Sequence, residues 1–430
     1  MIEPVLALTE PVGSVAEYLA RGGGRGLAAA VRLPAAEVAA EVRRSGLRGR
    51  GGSGYPTGQK WESVRERPGS TRYLVCNAAE GEPATFKDRW IIRRNPYQVL
   101  EGIAIAAYAI GAAKAYIVIR GTSTREVGAL RQALAEMSPR IPTELVIGPE
   151  DYLFGEEKAA AEVIEGRPAL PRILPPYQVG LFARSGQPNP TVVNNVETLA
   201  NVPLILSRGA EWFRESGTPG SPGGMVFTVC GDVRRPGMYE LPLGLPVDAL
   251  VHLVSGGPRE GRTIKVVIPG ASAAPLAPEH FGTPLDFDMM RAVGSALGSG
   301  GFAIYDDTAC MVAVTLCFAR FLAEESCGQC PACKHGCTAI VGLLERIERG
   351  DGAQEDLRSV LARCDAVTGG RRCALPVGAE SFVRGAVETF REEFEAHLGR
   401  SCPRPRCVPL PLIADFCGGR FRYETREVAA

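Results

Sequence analysis

The sequence of 430 residues lacks an excess of either charge, because 48 basic residues balance 48 acidic residues. This balance gives no electrostatic basis for binding nucleic acid or an anionic membrane surface. Long hydrophobic runs are also missing: the longest uncharged apolar run, residues 102–113, is too short to span a bilayer and is typical of a buried helix. The N-terminal residues carry no basic segment followed by a long apolar run. The sequence therefore predicts no signal peptide, no transmembrane segment and a cytoplasmic location, with membrane association only through a larger complex.

Cysteine, in contrast, is plentiful. The chain has 13 cysteines, and seven of them fall between Cys310 and Cys364. An odd and clustered set of cysteines in a chain without an export signal predicts metal ligation in a reducing compartment, not a disulfide framework.

The pattern of apolar residues predicts an α/β fold in the first half of the chain. Strands are predicted at 72–78, 114–121 and 143–148, and helices at 34–46, 96–112 and 123–137. Strands that alternate with helices indicate a parallel sheet covered by helices. The segment 191–199 reads as a turn followed by a helix.

The amino-acid composition changes at a Gly/Pro/Ser-rich linker near 215–224. Beyond it, predicted strands at 225–233, 238–244 and 264–270 surround one predicted helix at 247–256, which indicates a small α+β module. Four further helices are predicted at 310–327, 338–350, 355–364 and 380–398. They indicate a small helical bundle that flanks the cysteine cluster. The predicted domains are residues 1–222, 223–300 and 301–400, followed by a Cys- and Pro-containing tail, 401–430.

Cys327, Cys330 and Cys333 are spaced C-x2-C-x2-C. Three sulfurs on one tight loop can face a single [4Fe-4S] cluster, which needs a fourth ligand from elsewhere. Zinc is the main alternative, but structural zinc usually takes two separated pairs of ligands.

The fourth ligand stays open at this point, among three candidates. Cys337 completes a ferredoxin-like spacing, but Thr338 stands where that motif has proline, and the fourth cysteine of that motif ligates a different cluster. Cys373 lies in a loop before the last predicted helix. Cys364 lies within a predicted helix and is expected to pack there.

The loop at 46–58 carries Gly49-x-Gly51-x-x-Gly54, which formally matches the dinucleotide-binding fingerprint. The loop follows a predicted helix, whereas that fingerprint follows a strand. The sequence context therefore argues against an ordinary Rossmann dinucleotide site. Glycines still allow backbone N–H groups to surround a phosphate, and Arg50 and Lys60 supply positive charge. The alternative is a flexible surface turn.

Several polar residues stand where ligands bind in open α/β sheets. They follow a predicted strand or begin a predicted helix: Asn77, Glu80, Glu82, Glu156, Glu157, Asn194 and Asn195. Paired asparagines can read the edge of a flavin, because each amide offers a donor and an acceptor. The alternative for Glu156, Asn194 and Asn195 is helix capping.

Seven motifs in one order carry a resemblance to a known family. They are RGRGGSGYPTGQKW, CNAAEGEPATFKDR, GEEKAAAEVIEG, VVNNVETLANVP, GDVRRPGMYELPLG, GSGGFAIYDDTACM and ESCGQCPAC. Together, over roughly residues 15–400, they resemble the family of NADH-binding flavoprotein subunits of respiratory complex I, which includes the flavin subunits of NAD-linked hydrogenases and formate dehydrogenases.

The resemblance implies a Rossmann-like flavin-binding sheet, a β-grasp module and a helical bundle that carries the cluster. The implied cofactors are FMN, with FAD as the alternative, and one [4Fe-4S] cluster. The implied contacts to the flavin phosphate are Gly49, Arg50, Gly51, Gly52 and Lys60. The implied contacts to the flavin ring and ribityl chain are Asn77, Glu80, Tyr152, Gly155, Glu156, Asn194 and Asn195. The implied NADH-binding residues are Tyr55, Glu82 and Glu157, and the implied cluster ligands are Cys327, Cys330, Cys333 and Cys373.

The implied function is an NADH:acceptor oxidoreductase subunit of a larger complex. Hydride passes from NADH to the flavin, and single electrons then pass through the cluster to iron–sulfur or metal-cofactor subunits, or in reverse. No side chain is expected to act as an acid or base. Ala79 stands where relatives carry aspartate, so one flavin contact is expected to be lost or moved. Lys158 stands where relatives carry threonine, and its charge softens the rejection of a 2′-phosphate that an acid such as Glu157 enforces; NAD is expected over NADP. These two departures support the alternative of a flavin-less assembly scaffold.

The tail holds Cys402, Cys407 and Cys417, which the implied cluster does not use. With Cys337 they number four, and a second cluster is conceivable. We expect thiols without a metal at these positions.

Overall fold

The computed structural model describes residues 5–6, 8–69, 71–370, 372–400, 402 and 409–424. Cys407 lies outside them. The chain divides into two compact units. The first comprises Met1–Gly81, Phe86–Phe227 and Met238–Gly244, and the second comprises Glu82–Thr85, Thr228–Gly237 and Leu245–Ala430.

The first unit is an α/β structure. Its parallel strands are β1 (Tyr73–Ala78), β2 (Lys114–Arg120), β3 (Thr143–Gly148) and β4 (Thr191–Asn195). Its helices are α1 (Val15–Ala20), α2 (Arg25–Ala30), α3 (Ala35–Ser45), α4 (Thr57–Glu66), α5 (Lys87–Arg94), α6 (Pro96–Ile110), α7 (Thr124–Met137), α8 (Glu157–Ile164), α9 (Val196–Arg208) and α10 (Ala210–Arg214).

The strands pair in the order β3-β2-β1-β4, and all three pairings are parallel. The predicted covered parallel sheet is confirmed. β4 was not expected, because its five residues run directly into α9 and the segment resembles a turn before a helix. The strand order reverses between β1 and β4, and ligands of open α/β sheets bind at such a reversal, outside the carboxyl ends of the strands.

Local sequence sets the ends of α6 and its close packing. The helix begins at Pro96, and the Asn95 side chain caps it by accepting from the Gln98 N–H at 3.1 Å. It ends at Gly111, whose φ of +68° is left-handed. In its middle, a Cβ at Gly102 would lie 2.0 Å from the Leu199 carbonyl oxygen, so only glycine allows α6 to approach α9 this closely.

A mixed sheet follows along the chain. The strands β5 (Gly224–Gly231), β6 (Gly237–Pro242), β7 (Ile264–Ile268) and β8 (Gly301–Asp306) pair in the order β6-β5-β8-β7. β8 runs parallel to β5 and antiparallel to β7. A short helix, α11, spans Phe287–Ala292. The helix predicted at 247–256 is a π-helical turn, Ala249–Val254.

The C-terminal part of the second unit is helical, as predicted. It contains α12 (Met311–Glu324), α13 (Pro331–Glu348), α14 (Gln354–Val367), α15 (Leu375–Thr389) and α16 (Arg391–Ala396), followed by the antiparallel strands β9 (Ile413–Cys417) and β10 (Arg420–Tyr423). The Phe318 and Phe382 rings stack with centroids 4.9 Å apart and join α12 to α15. α13 begins seven residues before its predicted start at 338, with Pro331 in its first turn. Among the described residues, no helix is long and apolar enough to cross a membrane.

Candidate functional site

The glycine loop between α3 and α4 lies against the end of β4. The Gly49 N–H donates to the Tyr55 carbonyl at 2.8 Å, and the Arg50 N–H donates to Thr198 Oγ1 at 2.8 Å. A Cβ at Gly51 would lie 3.1 Å from Asn195 Cβ. The backbone at Gly51 thus approaches β4 so closely that a larger residue would displace one of them.

Arg50 uses its charge inside the loop. Its side chain is 0% exposed, and its guanidinium donates to the carbonyls of Arg48 (2.9 Å), Pro222 (3.1 Å) and Gly224 (2.9 Å). Burial lowers the pKa of Arg50 to about 10, which still leaves it charged at neutral pH. The sequence predicted a phosphate contact for this residue. The guanidinium faces three carbonyls of the chain, and the phosphate contact at Arg50 stays a prediction.

Lys60 connects α4 to the strand end. Its Nζ donates to the Val193 carbonyl at 2.8 Å and to Glu157 Oε2 at 3.1 Å. Lys60, predicted to meet a phosphate, and Glu157, predicted to meet NADH, are thus joined by an ion pair that is partly open to solvent. Tyr55, the predicted stacking ring, is 47% exposed.

Three predicted asparagines meet at the carboxyl ends of β1 and β4. The strand register places Asn77 beside Asn195, and Cys76 beside Asn194. The Asn77 amide donates to the Gly155 carbonyl at 2.7 Å. The Asn194 side-chain oxygen accepts from the indole of Trp61 at 2.7 Å. The asparagine pair was predicted from its chemistry, whereas Trp61 was missed although it closes the first motif.

Asn195 is held by a buried group of charges. Its Nδ2 donates to Asp88 at 2.5 Å, and its Oδ1 accepts from the Glu197 N–H at 3.0 Å and from Lys87 Nζ at 3.2 Å. Lys87 is fully buried, with Nζ 2.7 Å from Asp88 and 2.8 Å from Glu197. Burial alone would lower the pKa of Lys87, but the charges of Asp88 and Glu197 raise it above its ordinary value. One ammonium thus faces two carboxylates, and burial raises the pKa of Asp88.

Glu80 makes its contacts at the start of α5. Its carboxylate accepts from the N–H groups of Asp88 (3.0 Å) and Arg89 (3.3 Å) and from Arg89 Nε (3.1 Å). The predicted flavin contact at Glu80 is therefore accompanied by a capping and ion-pair role. The position of Glu80 after a strand indicated a ligand-binding carboxylate. Nothing in the motif indicated that Asp88 and Arg89 would donate hydrogen bonds to it.

The turn before α8 closes another side of the site. Tyr152–Gly155 form one 3₁₀ turn, and a Cβ at Gly155 would lie 2.9 Å from the Ala79 carbonyl oxygen. Glu156 caps α8, accepting from the N–H groups of Lys158 (2.8 Å) and Ala159 (3.1 Å). Burial raises the pKa of Glu156. The capping role considered for Glu156 and Asn195 is confirmed.

Glu82, the remaining predicted NADH-binding residue, belongs to the second unit. Its carboxylate accepts from Ser299 Oγ at 2.8 Å and from the Ala271 N–H at 3.2 Å. A Cβ at Gly270 would lie 2.6 Å from Glu82 Oε1. Glycine at this position therefore leaves room for the carboxylate.

The three closely spaced cysteines surround the start of α13. Cys327 precedes the helix, Cys330 is its N-terminal cap and Cys333 lies in its first turn. A hydrogen bond from Cys337 is the largest cause of a pKa of about 6 at Cys333; burial opposes it, and Ser326 lowers the pKa further. A thiol that is ionised near neutral pH is suited to ligate iron.

The loop that contains Cys373 is close to this cysteine loop. Cys330 Sγ donates to the Gly370 carbonyl at 2.6 Å, and Gly370 precedes Cys373 by three residues. Cys364, the alternative within α14, is buried there, as expected, and Cys337 is buried in α13.

The glycine loop lies at the strand reversal of a parallel sheet, and the chain also carries a three-cysteine loop. Together these features define the class of protein, a flavin- and iron–sulfur-dependent oxidoreductase. Family models divide the chain accordingly: residues 42–204 match the Nuo51 FMN-binding domain, 226–269 the SLBB domain, and 313–397 the NADH-ubiquinone oxidoreductase-F iron-sulfur binding region. The expected FMN-binding and 4Fe-4S regions are confirmed. The chain belongs to the family of NADH-quinone oxidoreductase F subunits.

Relatives match over nearly the whole chain. The NADH-quinone oxidoreductase F 2 subunit of Rhizobium meliloti (strain 1021) is 43% identical over 424 residues, which cover 94% of this chain and 100% of the relative. The HndC subunit of the NADP-reducing hydrogenase of Solidesulfovibrio fructosivorans is 35% identical, and the match covers 92% of this chain and 83% of the relative. A crystal structure of an NAD⁺-reducing [NiFe]-hydrogenase in the H₂-reduced state matches with a TM-score of 0.79 and 34% identity, over 90% of this chain and 67% of that chain. The predicted family and fold are confirmed, and the matched relatives are oxidoreductase subunits, which gives no support to the scaffold alternative.

Proposed function

We propose that this chain takes electrons from NADH at a bound FMN and passes them through one [4Fe-4S] cluster to a partner subunit of a larger complex. The observation that carries the proposal is the approach of Gly51 of the glycine loop to Asn195, which follows Asn194 on β4 and lies beside Asn77 of β1, at the strand reversal of the sheet. Bound FMN accepts electrons in pairs and releases them singly, which allows NADH to supply a cluster that takes one electron.

The glycine loop would hold the flavin phosphate. Its backbone at Gly49, Gly51 and Gly52 carries no side chain that would keep an anion away, and Lys60 supplies a nearby ammonium. Arg50 is also proposed to contact the phosphate, and it maintains the loop through the carbonyls it binds. The close approach of Gly51 to Asn195 supports this assignment, because it brings the loop to the residues proposed to meet the ring.

The strand ends would hold the ring and ribityl chain. The proposed contacts are Asn77, Glu80, Tyr152, Gly155, Glu156, Asn194 and Asn195. Most of these residues are fixed by hydrogen bonds to neighbouring elements, as with Asn77 to Gly155 and Asn194 to Trp61. A site held in this way positions a flat cofactor without the cost of ordering side chains when it binds.

Tyr55, Glu82 and Glu157 are proposed to bind the nucleotide. The exposed ring of Tyr55 is available for stacking, and an acid such as Glu157 favours a free ribose 2′-hydroxyl over a 2′-phosphate. The ion pair of Glu157 with Lys60 and the presence of Lys158 reduce this discrimination. Because of the acid at Glu157, we propose NAD as the preferred nucleotide.

Cys327, Cys330, Cys333 and Cys373 are proposed as the ligands of the cluster. The contact of Cys330 with Gly370 supports Cys373 as the fourth ligand, since it brings that loop to the other three cysteines. Cys337 is engaged with Cys333 inside α13 and is proposed to remain outside the cluster. The acceptor is proposed to be another iron–sulfur or metal-cofactor subunit, and the place of action is proposed to be the cytoplasm.

The test is purification of the native complex from its source, with extraction of the flavin and an assay of NADH-dependent dye reduction. We expect FMN in a ratio of about one per chain, iron–sulfur partner subunits, and reduction of the dye. A complex that lacks flavin and does not reduce the dye with NADH would contradict the proposal.

A further inference from the structure

Cys310, His397 and Cys402 form a compact group in the second unit. Their ligand atoms all lie within 4.8 Å of one another, and Cys310 Sγ is 3.3 Å from His397 Nε2. Cys310 and His397 are each 1% exposed, and Cys402 is half-buried. In the part of the chain that the structure describes, this is the only such group of three or more His, Cys, Asp or Glu residues.

The histidine is oriented as metal ligands usually are. Its Nδ1 lies 2.7 Å from the Glu393 carbonyl oxygen, which can only accept, so Nδ1 carries the proton and Nε2 carries the lone pair. The lone pair is the one that faces Cys310. A ligating histidine typically donates its other N–H to a carbonyl or carboxylate in this way, which fixes the tautomer and the ring.

Glu393 positions the cysteine as well. Its carboxylate accepts from the N–H of Met311, the residue after Cys310, at 3.0 Å and from Lys265 Nζ at 2.6 Å. One residue therefore sets both the His397 ring and the start of α12. This arrangement gives two of the three groups a fixed geometry before any ligand binds.

The donor set and its spacing suit one ion and not a cluster. Zinc bonds of about 2.3 Å to sulfur and about 2.0 Å to nitrogen in a tetrahedron place the ligand atoms roughly 3.5 to 4 Å apart, close to the observed spacing. The four cysteines of a cubane each bind a different iron, and their sulfurs stand farther apart. Two thiolates would also balance the charge of Zn²⁺, which a buried site requires.

We propose that Cys310, His397 and Cys402 bind a zinc ion that is separate from the iron–sulfur cluster. This proposal replaces, for Cys402, the sequence-based expectation of a thiol without a metal. The ion fastens the chain that follows α16 to the start of α12, and its role is structural. Binding releases a proton from each thiol as its sulfur forms the metal bond. The site is independent of the proposed electron transfer, because none of its residues is a proposed ligand of the flavin, NADH or the cluster.

The test is the metal content of the untagged complex, purified under reducing conditions, with zinc K-edge X-ray absorption on the same sample. We expect about one zinc per chain, with about two sulfur neighbours of zinc at about 2.3 Å and the remaining neighbours nitrogen or oxygen at about 2.0 Å. Lack of zinc would overturn the proposal. A zinc ion with four sulfur neighbours would also overturn it, because that ion would occupy the cluster site.

Two cysteine variants give the matched comparison. Cys402→Ser is expected to lower the zinc content at least tenfold and leave iron and flavin unchanged, whereas Cys417→Ser, a change at an exposed cysteine of the same tail, is expected to keep all three. Retention of zinc in Cys402→Ser would overturn the proposal. If Cys402→Ser fails to fold, the absorption spectrum of the unmodified complex decides alone.

Discussion

Gly51 is a residue at which the proposed flavin site leaves little room. We predict that Gly51→Ala lowers the affinity for FMN about tenfold, because the new Cβ, 3.1 Å from Asn195 Cβ, would push the loop from the strand end at a cost of about 1 to 2 kcal/mol. Flavin retained per chain after gel filtration measures the effect. Gly128→Ala in α7, where a Cβ meets nothing within 4 Å, is the control. Equal flavin content in both variants would contradict the prediction.

Glu157 is the residue expected to discriminate between the nucleotides. We predict that Glu157→Gln raises the ratio of kcat/KM for NADPH to that for NADH about fivefold, because a partly exposed charge contact is worth about 1 kcal/mol. The change also releases Lys60 from its ion pair. Steady-state kinetics with both nucleotides measure the ratio, and Glu162→Gln, on the same helix, is the control. An unchanged ratio would show that Glu157 does not face the 2′ position.

Among the elements of the fold, the contact between α6 and α9 supports the sheet from one face. We predict that Gly102→Ala destabilises the protein by at least about 2 kcal/mol, because its Cβ would lie 2.0 Å from the Leu199 carbonyl oxygen and the two helices would have to separate. Thermal unfolding measures the loss. Gly128→Ala, in an open helical position, should instead be neutral or stabilising by up to about 1 kcal/mol. A Gly102→Ala protein as stable as the unmodified chain would contradict the prediction.

Elements with a clear period were predictable, and those defined by distant contacts were not. β1, β2 and β3 follow from short apolar runs, and the end of α3 follows from Gly46. β4 was missed because five residues that pass directly into a helix show no period of their own. The first two turns of α13 were missed because their cysteines and glycine obscure the helical pattern.

The directions in which side chains point could likewise not be predicted from the sequence. A loop with Arg50 predicts positive charge for a phosphate, but only the folded chain shows that the guanidinium binds three carbonyls. Cys310 and His397 are 87 residues apart, and no spacing rule joins them. The asparagine pair was predictable because its chemistry and its position after an apolar run both indicated a ligand.

For the molecule as a whole, the flavin and the cluster should be separable by mutation. We predict that Cys373→Ser abolishes the [4Fe-4S] signal in electron paramagnetic resonance of the reduced protein but leaves FMN bound and reducible by NADH. Cys337→Ser, a change at a buried cysteine of the same region, should retain the cluster. Retention of the cluster in Cys373→Ser would show that Cys373 is not the fourth ligand. Loss of the cluster in Cys337→Ser would assign the fourth ligand to Cys337.

The proposed relay requires electrons to arrive in pairs and leave singly within this one chain. An anaerobic titration of the purified protein with NADH, followed by flavin absorbance and by electron paramagnetic resonance of the cluster, is the decisive experiment. We predict that both centres are reduced, with two electrons taken up by the flavin and one by the cluster. A flavin that is reduced while the cluster stays oxidised, or a protein in which NADH reduces neither, would contradict the relay.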